Sequence, residues 1–523
     1  GAGFDNAQLT DASGNTVKLE GVETITGSSG ADSLTISTND IESISGGAGI
    51  DDVQLTDATG NTVELEGVET VTGSAGFDEI ILRDVTGNSV ELDGVEAVTG
   101  SEGVDTLTVT DGTSVTMDGG FGDDTLTGGI GDDTLSGSGG DDRLIGGGGF
   151  DIVDGGDGND ELELDASVGG RASGGVGDDS LALVGSTNTV ELDGVETVTG
   201  SAGFDEVILR DDFGANIEIS DVETVTGGSG LDTVFLTDEF GANINISDVE
   251  TVVGGSGADS LTISTNDIES ISGGSGIDDV QLTDETGNTV ELDGVETVTG
   301  STGFDKVILT DATGNDVKLE GIENVFGGIG PEKLNIVTND IQLVSTGAGF
   351  DEVVLADTDG NDVTLEGVES VIGSIGAEKL NITTSDIQSI FGGDGIDEVI
   401  LTSTFGNTIE LEGVETVAGS SGDDSLTIIT NDIETISGGA GFDEVVLTST
   451  DGNTIEVDGI ETFTGGAGFD EVVLRDEFGA SIEFSGVEMA LGGFGDDVLT
   501  VTDGTFATID GGEGFDSVQL TDD

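Results

Sequence analysis

The 523 residues include 109 acidic and only 10 basic side chains, and the formal charge of −99 excludes nucleic acids and anionic lipid headgroups as direct partners. The chain has no Cys for disulfides or thiolate chemistry, and no run of about eighteen apolar residues that could span a membrane. Such a charge favours disorder, yet 34% of the residues are hydrophobic and recur periodically as Val, Ile and Leu. A folded state is compatible with this composition once protons, salt or divalent cations neutralise the acids.

One turn motif, G-[GS]-x-G-x-[DE] followed by a short β-type run, recurs along the whole chain, for example at 46–51 and 273–278. Cutting after the second residue of each glycine pair gives eleven long units of 27 residues, eight medium units of 19, four short units of 9 and one unit of 26 at 176–201. Repetition on this scale predicts a solenoid, in which function belongs to the stack of units and not to a single pocket.

In chain order, long and medium units fill residues 1–120, the four short units follow in tandem at 121–156, and long and medium units fill 157–523. No segment keeps a 3.6-residue period, so we expect almost no helix. We predict an all-β protein, a parallel β-solenoid (a β-roll or β-helix) of about 22 coils that forms one continuous rod. Because the chain begins and ends inside a repeat, we expect it to be excised from a longer chain.

The long unit, typified by 48–74, has eight residues more than the medium unit, typified by 256–274. The added segment contains a D-x-x-G-N turn before alternating apolar residues, which predicts either a hairpin or a third strand. The middle position of the first strand is polar in all eight medium units but apolar in eight long units. We expect the inserted strand to cover this outward position; the alternative is an exposed face for self-association. The eight apolar residues are Ile81, Ile208, Phe235, Ile308, Val354, Ile400, Val446 and Val473.

The turn residues have the chemistry of a calcium site. Glycine allows a tight turn, a positive φ and close backbone approach, and such a turn exposes carbonyl oxygens. Stacked coils would align one aspartate per turn a few Å from the next, where like charges repel. Ca²⁺ accepts an irregular shell of carboxylate and carbonyl oxygens at about 2.3–2.6 Å, whereas Mg²⁺ demands a stricter octahedron. The alternative is that each aspartate caps its turn by accepting hydrogen bonds from backbone N–H groups.

Residues 119–127, G-G-F-G-D-D-T-L-T, match the nonapeptide G-G-x-G-x-D-x-U-x, and the next three units follow in register. The segment therefore resembles the RTX (repeats-in-toxin) proteins. This resemblance implies a parallel β-roll with calcium in its turns, type I secretion from Gram-negative bacteria, and folding outside the cell. By position in the motif, the implied calcium ligands are Asp124, Asp133, Asp142, Asp151 and Asp160, with Asp179 in the following unit.

Outside 121–160 the chain departs from the nine-residue repeat but keeps the G-x-G-x-D turn, and it resembles the calcium-binding repeat regions of bacterial S-layer proteins and large RTX adhesins. Two turns differ, because Glu332 and Glu378 replace the aspartate and are followed by Lys333 and Lys379. One hypothesis is that the lysine ammonium replaces the metal there; the alternative is a drifted repeat with a solvated lysine. The aspartates in the turn position are Asp51, Asp78, Asp105, Asp205, Asp232, Asp259, Asp278, Asp305, Asp351, Asp397, Asp424, Asp443, Asp470 and Asp497.

These features favour a calcium-dependent extracellular structural protein of the bacterial cell surface, such as an S-layer, surface filament or matrix component. We expect many bound Ca²⁺ ions, self-association into a lattice or filament, and cell-surface polysaccharide as a further candidate partner. The alternative is the extender region of a large RTX adhesin whose ligand-binding domain lies outside this segment. Catalysis is not expected, because the chain has no His, Cys or Tyr to act as base or nucleophile.

Four phenylalanines lie in the turns of the inserted segments. They are either lateral contacts between molecules or buried supports of the corner. These residues are Phe213, Phe240, Phe405 and Phe478.

Overall fold

Short strands alternate with glycine-containing turns throughout the computed structural model, which describes residues 3–211, 213–503 and 508–521. The chain folds as two compact units, Gly1–Gly257 and Ala258–Asp523. The described ranges contain strands and no helix. The sequence-based boundaries at 120 and 156 fall inside the first unit and stay a prediction.

The strands of the first unit are β1 (Asn6–Gln8), β2 (Thr16–Leu19), β3 (Thr24–Thr26), β4 (Ser33–Ile36), β5 (Ser43–Ser45), β6 (Asp52–Leu55), β7 (Thr62–Glu66), β8 (Thr70–Thr72), β9 (Glu79–Leu82), β10 (Ser89–Asp93), β11 (Ala97–Thr99), β12 (Thr106–Val109), β13 (Thr116–Phe121), β14 (Thr125–Gly129), β15 (Thr134–Gly139), β16 (Arg143–Gly148), β17 (Asp151–Asp157), β18 (Glu161–Asp165), β19 (Gly170–Val176), β20 (Ser180–Leu183), β21 (Thr187–Asp193), β22 (Thr197–Thr199), β23 (Phe204–Leu209), β24 (Asn216–Ser220), β25 (Thr224–Thr226), β26 (Thr233–Leu236), β27 (Asn243–Ser247) and β28 (Thr251–Val253).

The strands of the second unit are β29 (Ser260–Ile263), β30 (Ser270–Ser272), β31 (Asp279–Leu282), β32 (Thr289–Asp293), β33 (Thr297–Thr299), β34 (Lys306–Leu309), β35 (Asp316–Glu320), β36 (Asn324–Phe326), β37 (Lys333–Ile336), β38 (Leu343–Ser345), β39 (Glu352–Leu355), β40 (Asp362–Glu366), β41 (Ser370–Ile372), β42 (Lys379–Ile382), β43 (Ser389–Phe391), β44 (Glu398–Leu401), β45 (Thr408–Glu412), β46 (Thr416–Ala418), β47 (Ser425–Ile428), β48 (Thr435–Ser437), β49 (Glu444–Leu447), β50 (Thr454–Asp458), β51 (Thr462–Thr464), β52 (Glu471–Leu474), β53 (Ser481–Ser485), β54 (Met489–Leu491), β55 (Val498–Val501), β56 (Thr508–Asp510) and β57 (Ser517–Leu520).

Within each unit, odd-numbered strands form one sheet and even-numbered strands form the other. Each strand pairs in parallel with the strand two places along the chain, as β4 does with β6, which sets Leu34 beside Val53. The intervening β5 pairs with β7 in the opposite sheet. Two successive strands therefore complete one coil, and each unit is a two-sheet parallel β-solenoid. The predicted all-β solenoid fold is confirmed.

A repeat unit of the sequence does not correspond to one coil of the solenoid. The medium unit 421–439 supplies two strands, β47 and β48, whereas the long unit 48–74 supplies three, β6 to β8. The inserted segment is thus the next strand of the ladder, not a hairpin on the surface. The expected count of about 22 coils is wrong, since the 57 strands of the described residues make about 28 coils at two strands per coil. A half-coil of about nine residues underlies all three unit lengths.

The inserted strand does not cover the outward position of the first strand, contrary to expectation. In the long unit 48–74 the inserted β7 pairs with β5 and β9, so it joins the sheet opposite β6. The eight apolar residues at the outward position therefore stay on the outer face. Seven of them are partly exposed and Phe235 is 36% exposed, in accord with the alternative of an open apolar face.

The core lies between the two sheets and consists of stacked Val, Ile and Leu side chains. Strands alternate buried and outward residues, and Leu34, Val53 and Val71 are fully buried at equivalent positions of three strands. Burying such a side chain stabilises the fold by about 1.5–3 kcal/mol, so the periodic aliphatic residues account for the stacking of the coils.

Replacing one stacked core residue should destabilise the solenoid much more than replacing an exposed residue of the adjacent turn. Leu282 is 1% exposed and Ile277 is 72% exposed. We expect Leu282→Ala to lower the free energy of unfolding by about 2–5 kcal/mol, because it leaves a cavity between the sheets. Urea unfolding in calcium buffer, followed by circular dichroism, measures the loss. Ile277→Ala is the control, and equal losses in the two variants would contradict this account of the core.

Candidate metal-binding turns

All twenty aspartates predicted as metal ligands are buried at the corners between strands. None of their side chains is more than 2% exposed. Each stands at the start of a strand, as Asp51 does before β6. Burying a carboxylate is costly unless it is hydrogen-bonded or neutralised, so the partners of each oxygen decide what these turns can do.

In most of these turns one carboxylate oxygen accepts a hydrogen bond from a backbone N–H of the coil before it, and in the turn of Asp205 the donor is the side-chain Nδ2 of Asn188. The N–H of Asp32 donates to Asp51 Oδ1 at 2.7 Å. In the nonapeptide patch, the N–H of Asp124 donates in the same way to Asp142 Oδ1 at 2.7 Å. Such bonds join Asp124, Asp142, Asp160 and Asp179 into one column and Asp133 and Asp151 into another. The structure thus brings the aspartates of the patch together in two ladders.

Asparagine and glutamate occupy the same place in the long units, which the sequence analysis missed. The backbone N–H and the side-chain Nδ2 of Asn61 both donate to Asp78 Oδ1 at 2.8 Å. The N–H of Asp78 in turn donates to Glu96 Oε2 at 2.8 Å. The signal was present in the sequence, because Asp, Asn and Glu recur at a fixed offset before the first buried residue of each strand.

Eight of the aspartates have both carboxylate oxygens satisfied, and we term these the closed turns. In the turn of Asp78, the N–H of Ser74 donates to the second oxygen, Oδ2, at 2.5 Å. The equivalent donor lies four residues before the aspartate in every case. The closed turns are those of Asp78, Asp105, Asp205, Asp232, Asp305, Asp424, Asp470 and Asp497.

Eleven aspartates keep a buried Oδ2 that accepts no hydrogen bond from the protein, and we term these the open turns. In each of them the second residue of the turn has a positive φ, which is 101° for Gly47 in the turn of Asp51. This residue is glycine in ten of the turns and Ser138, with φ 73°, in the turn of Asp142. The remaining aspartate, Asp259, is also buried. The open turns are those of Asp51, Asp124, Asp133, Asp142, Asp151, Asp160, Asp179, Asp278, Asp351, Asp397 and Asp443.

The missing hydrogen bond changes the acidity of the carboxyl groups. For Asp32, burial opposes ionisation, but the donors Ser28 and Asn15 outweigh it and the pKa is lowered. For Asp51, one coil later, burial dominates and the pKa is raised. Within the patch, burial first and neighbouring aspartates second raise the pKa of Asp124 to about 7 and that of Asp142 to about 6. Asp51, Asp124 and Asp142 are therefore carboxylates whose buried charge a proton or a cation would neutralise.

Oxygen atoms of successive coils converge beside the first glycine of an open turn. A Cβ placed on Gly128 would lie 2.4 Å from Asp133 Oδ2 and 2.7 Å from the carbonyl oxygen of Gly146. Among the described residues no three acidic side chains form a metal cluster, so a cation here would need carbonyl oxygens beside the carboxylates. This donor set fits a hard cation such as Ca²⁺, and the chain has no His or Cys for softer metals.

The lysine hypothesis for the two glutamate turns is wrong. Lys333 Nζ lies 3.5 Å from Glu352 Oε1 on the outer face, and its side chain is 56% exposed. Lys379 Nζ is placed in the same way, 3.6 Å from Glu398 Oε2. Each lysine follows the turn residue directly and so points away from the core, where it cannot reach the buried carboxyl group.

Comparison with protein families bears on the short units. Residues 99–135, 116–144 and 136–166 match the RTX calcium-binding nonapeptide repeat, which is found in four copies. The chain carries RTX repeats. RTX repeats imply calcium binding and secretion by the type I route, and the matched segment contains both aspartate ladders of the patch except Asp179.

The comparison with curated proteins gave no match for this RTX-containing chain. Within the described ranges, no helix has the length and apolar character needed to cross a bilayer.

The raised pKa values predict a pH dependence in chelator. The pKa of Asp124 is about 7 and that of Asp142 about 6 in the fold, against 3.8 ordinarily, so the folded chain holds protons that the unfolded chain has lost. Proton binding by these groups therefore stabilises the folded state fully below pH 3.8, and this stabilisation is lost as the pH rises through about 7. We therefore expect the calcium-free protein to gain β-structure when the pH falls from about 8 to about 5.

Circular dichroism of the chelated protein across this range measures the effect. Saturating calcium is the control, since a bound cation should remove the gain. A chelated protein whose spectrum stays constant from pH 8 to pH 5 would contradict the prediction.

Proposed function

We propose that this protein is a calcium-dependent extracellular structural protein whose solenoid folds when Ca²⁺ binds after secretion. The proposal is carried by one observation, the columns of buried aspartates that keep one carboxylate oxygen without a hydrogen bond. The RTX match to the same segment supports calcium as the cation. Asp124, Asp133, Asp142, Asp151 and Asp160 would hold the metal in the patch.

Folding and calcium binding would be one event. An unpaired buried carboxylate is costly, and a chain with a formal charge of −99 repels itself in the compact state. Bound Ca²⁺ supplies the positive charge that both effects require. Because the aspartates converge with carbonyl oxygens only in the coiled backbone, the binding free energy becomes folding free energy. The chain would therefore stay unfolded where calcium is scarce and fold outside the cell.

A calcium titration tests this function. We expect little regular structure in chelator at neutral pH and a β-rich circular dichroism spectrum once calcium is restored, with many ions bound per chain. An equal concentration of Mg²⁺ should restore much less β-structure, because its octahedral shell fits the turns poorly. A fully folded spectrum after exhaustive metal removal at neutral pH would refute the proposal.

We further propose that the folded chain has no catalytic role and associates with itself, as an S-layer, surface filament or matrix component. The four phenylalanines of the inserted turns support this, because Phe213, Phe240, Phe405 and Phe478 are between 76% and 98% exposed. The expectation that they are buried at the corner is therefore wrong. Exposed aromatic side chains that recur along a repeat are suited to lateral contacts between copies. Cell-surface polysaccharide stays a proposed partner.

Removing these aromatic rings should weaken assembly without unfolding the chain. We expect the fourfold variant with Phe213, Phe240, Phe405 and Phe478 each changed to Ser to assemble only at a concentration at least about tenfold higher, because it loses apolar contact area. Sedimentation and electron microscopy in calcium measure assembly. Serine at Phe77, Phe304, Phe442 and Phe469, which are 50–63% exposed in other turns, is the matched control.

If the control variant needed the same higher concentration to assemble as the fourfold variant of the inserted turns, a specific role for the inserted turns would be contradicted. A calcium-folded wild-type chain that stays monomeric at all concentrations would contradict self-association and favour the extender region of a large adhesin.

A further inference from the structure

Open and closed turns follow a rule along the chain. Every closed turn comes directly after a unit of 26 or 27 residues, and every open turn comes directly after a unit of 19 or 9 residues. We propose that, outside the nonapeptide patch, calcium binds only at the open turns, and that the closed turns are complete without metal. This inference rests on the proposed calcium-dependent function and assigns its sites to particular turns.

Asp32 and Asp51 illustrate the difference on two adjacent coils of one sheet. Asp32 Oδ2 accepts the N–H of Ser28 at 2.6 Å, and Oδ1 accepts both the N–H and Nδ2 of Asn15 at 2.6 Å. With the hydroxyl of Ser28, which donates to Oδ1 at 3.2 Å, four donors surround this carboxylate, and a cation would have to displace them. Asp51 Oδ1 accepts the N–H of Asp32, but its Oδ2 is buried and has no partner in the protein. Only the second carboxylate has an unmet need for positive charge.

The backbone of an open turn has a positive φ at the residue that donates the closing N–H group in a closed turn. Gly47 has φ 101°, and a Cβ there would lie 2.1 Å from the carbonyl oxygen of Ser28 in the preceding turn. The next residue, Ala48, donates its N–H to that same carbonyl at 3.1 Å. The turn is therefore tied to the turn one coil earlier, and none of its N–H groups donates to Asp51 Oδ2. A turn that follows a long unit lies against the turn of the inserted segment instead, as the turn of Asp78 does against Gly60.

Carbonyl and carboxylate oxygens flank the first glycine in open and closed turns alike, so the missing N–H donor is what distinguishes an open turn. A Cβ on Gly46 would lie 2.0 Å from the carbonyl oxygen of Gly67 and 2.7 Å from Asp51 Oδ2. Gly392 has the same surroundings, with the carbonyl oxygen of Gly413 at 2.0 Å and Asp397 Oδ2 at 2.6 Å. A carboxylate and a carbonyl oxygen on successive coils, with no N–H donor to the carboxylate, are the donor types that Ca²⁺ uses.

The two glutamate turns are exceptions to the rule, because each follows a unit of 27 residues and yet keeps a buried oxygen, Oε2, without a hydrogen-bond partner. Glu332 Oε2 is buried without a partner, and so is Oδ2 of Asp351 on the next coil. The N–H of Gly328 reaches Glu332 Oε1 only at 3.4 Å, whereas the N–H of Gly228 lies 2.7 Å from Asp232 Oδ2. The closing hydrogen bond of Glu332 is therefore longer than that of Asp232, and Glu332 Oε2 lies unpaired one coil before the unpaired Oδ2 of Asp351.

Two matched sets of aspartates outside the patch test the inference in the full chain. The open set is Asp51, Asp278, Asp351, Asp397 and Asp443. The closed set is Asp78, Asp205, Asp232, Asp305 and Asp470. Each set is changed from Asp to Asn together, and bound calcium per chain is counted by atomic emission after equilibrium dialysis. We expect the open-set variant to lose five ions relative to the wild type and the closed-set variant to lose none.

Loss of ions by a folded closed-set variant, or an unchanged count in the open-set variant, would overturn the inference. Should either variant fail to fold in calcium, wild-type crystals grown with calcium decide the question through anomalous scattering. Peaks beside the open-set aspartates and none beside the closed-set aspartates support the inference, and any other distribution refutes it. Ions in the patch with empty open turns elsewhere would refute this inference alone, whereas an empty patch would refute the calcium-dependent function itself.

Discussion

The structure depends on one hydrogen bond, which the backbone N–H at the corner of one coil donates to a carboxylate of the next coil. It holds successive corners together where the glycine turns leave no side chains to pack. The bond from Asp124 to Asp142 recurs from Asp142 to Asp160 and from Asp160 to Asp179. Because the acceptor must be an acidic group that is buried, the same bond that aligns the coils also accumulates negative charge inside the protein. The same hydrogen bond therefore stabilises the stack of coils and creates the need for bound cations.

Much of the fold could be predicted from the sequence, because the aliphatic period and the glycine turns act locally. Strands such as β6 and the positions of the turn aspartates were found in this way. The number of coils could not be predicted in this way. Asp51, Asn61 and Glu69 recur about every nine residues at one structural position, but because they are three different residue types the repeat is not visible in the sequence. The turn motif by itself does not separate the turn of Asp78 from that of Asp51, although the length of the preceding unit does. Both turns fit the same motif, with Gly47 in one and Ser74 in the other, and of these two residues only Gly47 has a positive φ.

The two kinds of turn correspond to two ways of neutralising a buried carboxylate in this highly acidic chain. At Asp78, backbone and asparagine donors neutralise the buried carboxylate from within the chain. At Asp51 and along the patch, the second carboxylate oxygen has no donor in the protein, so a cation or a proton from the solvent must neutralise it. A chain with only closed turns would have little reason to respond to calcium, and a chain with only open turns would have no corner that is complete without it. The mixture places the cation-dependent corners at intervals along a ladder whose other corners are internally satisfied.

The odd number of strands in a long unit has a consequence for how such a gene can change length. Within a folded unit, loss of one medium unit removes a whole coil, and every later strand stays in its original sheet. Loss of one long unit removes one and a half coils, so every later strand changes sheet and its outward side chains appear on the opposite surface. Recombination between repeats therefore leaves the outward side chains on their original surface only when the number of half-coils gained or lost is even. Tracts of long units can grow or shrink by pairs, while medium units can be gained or lost singly.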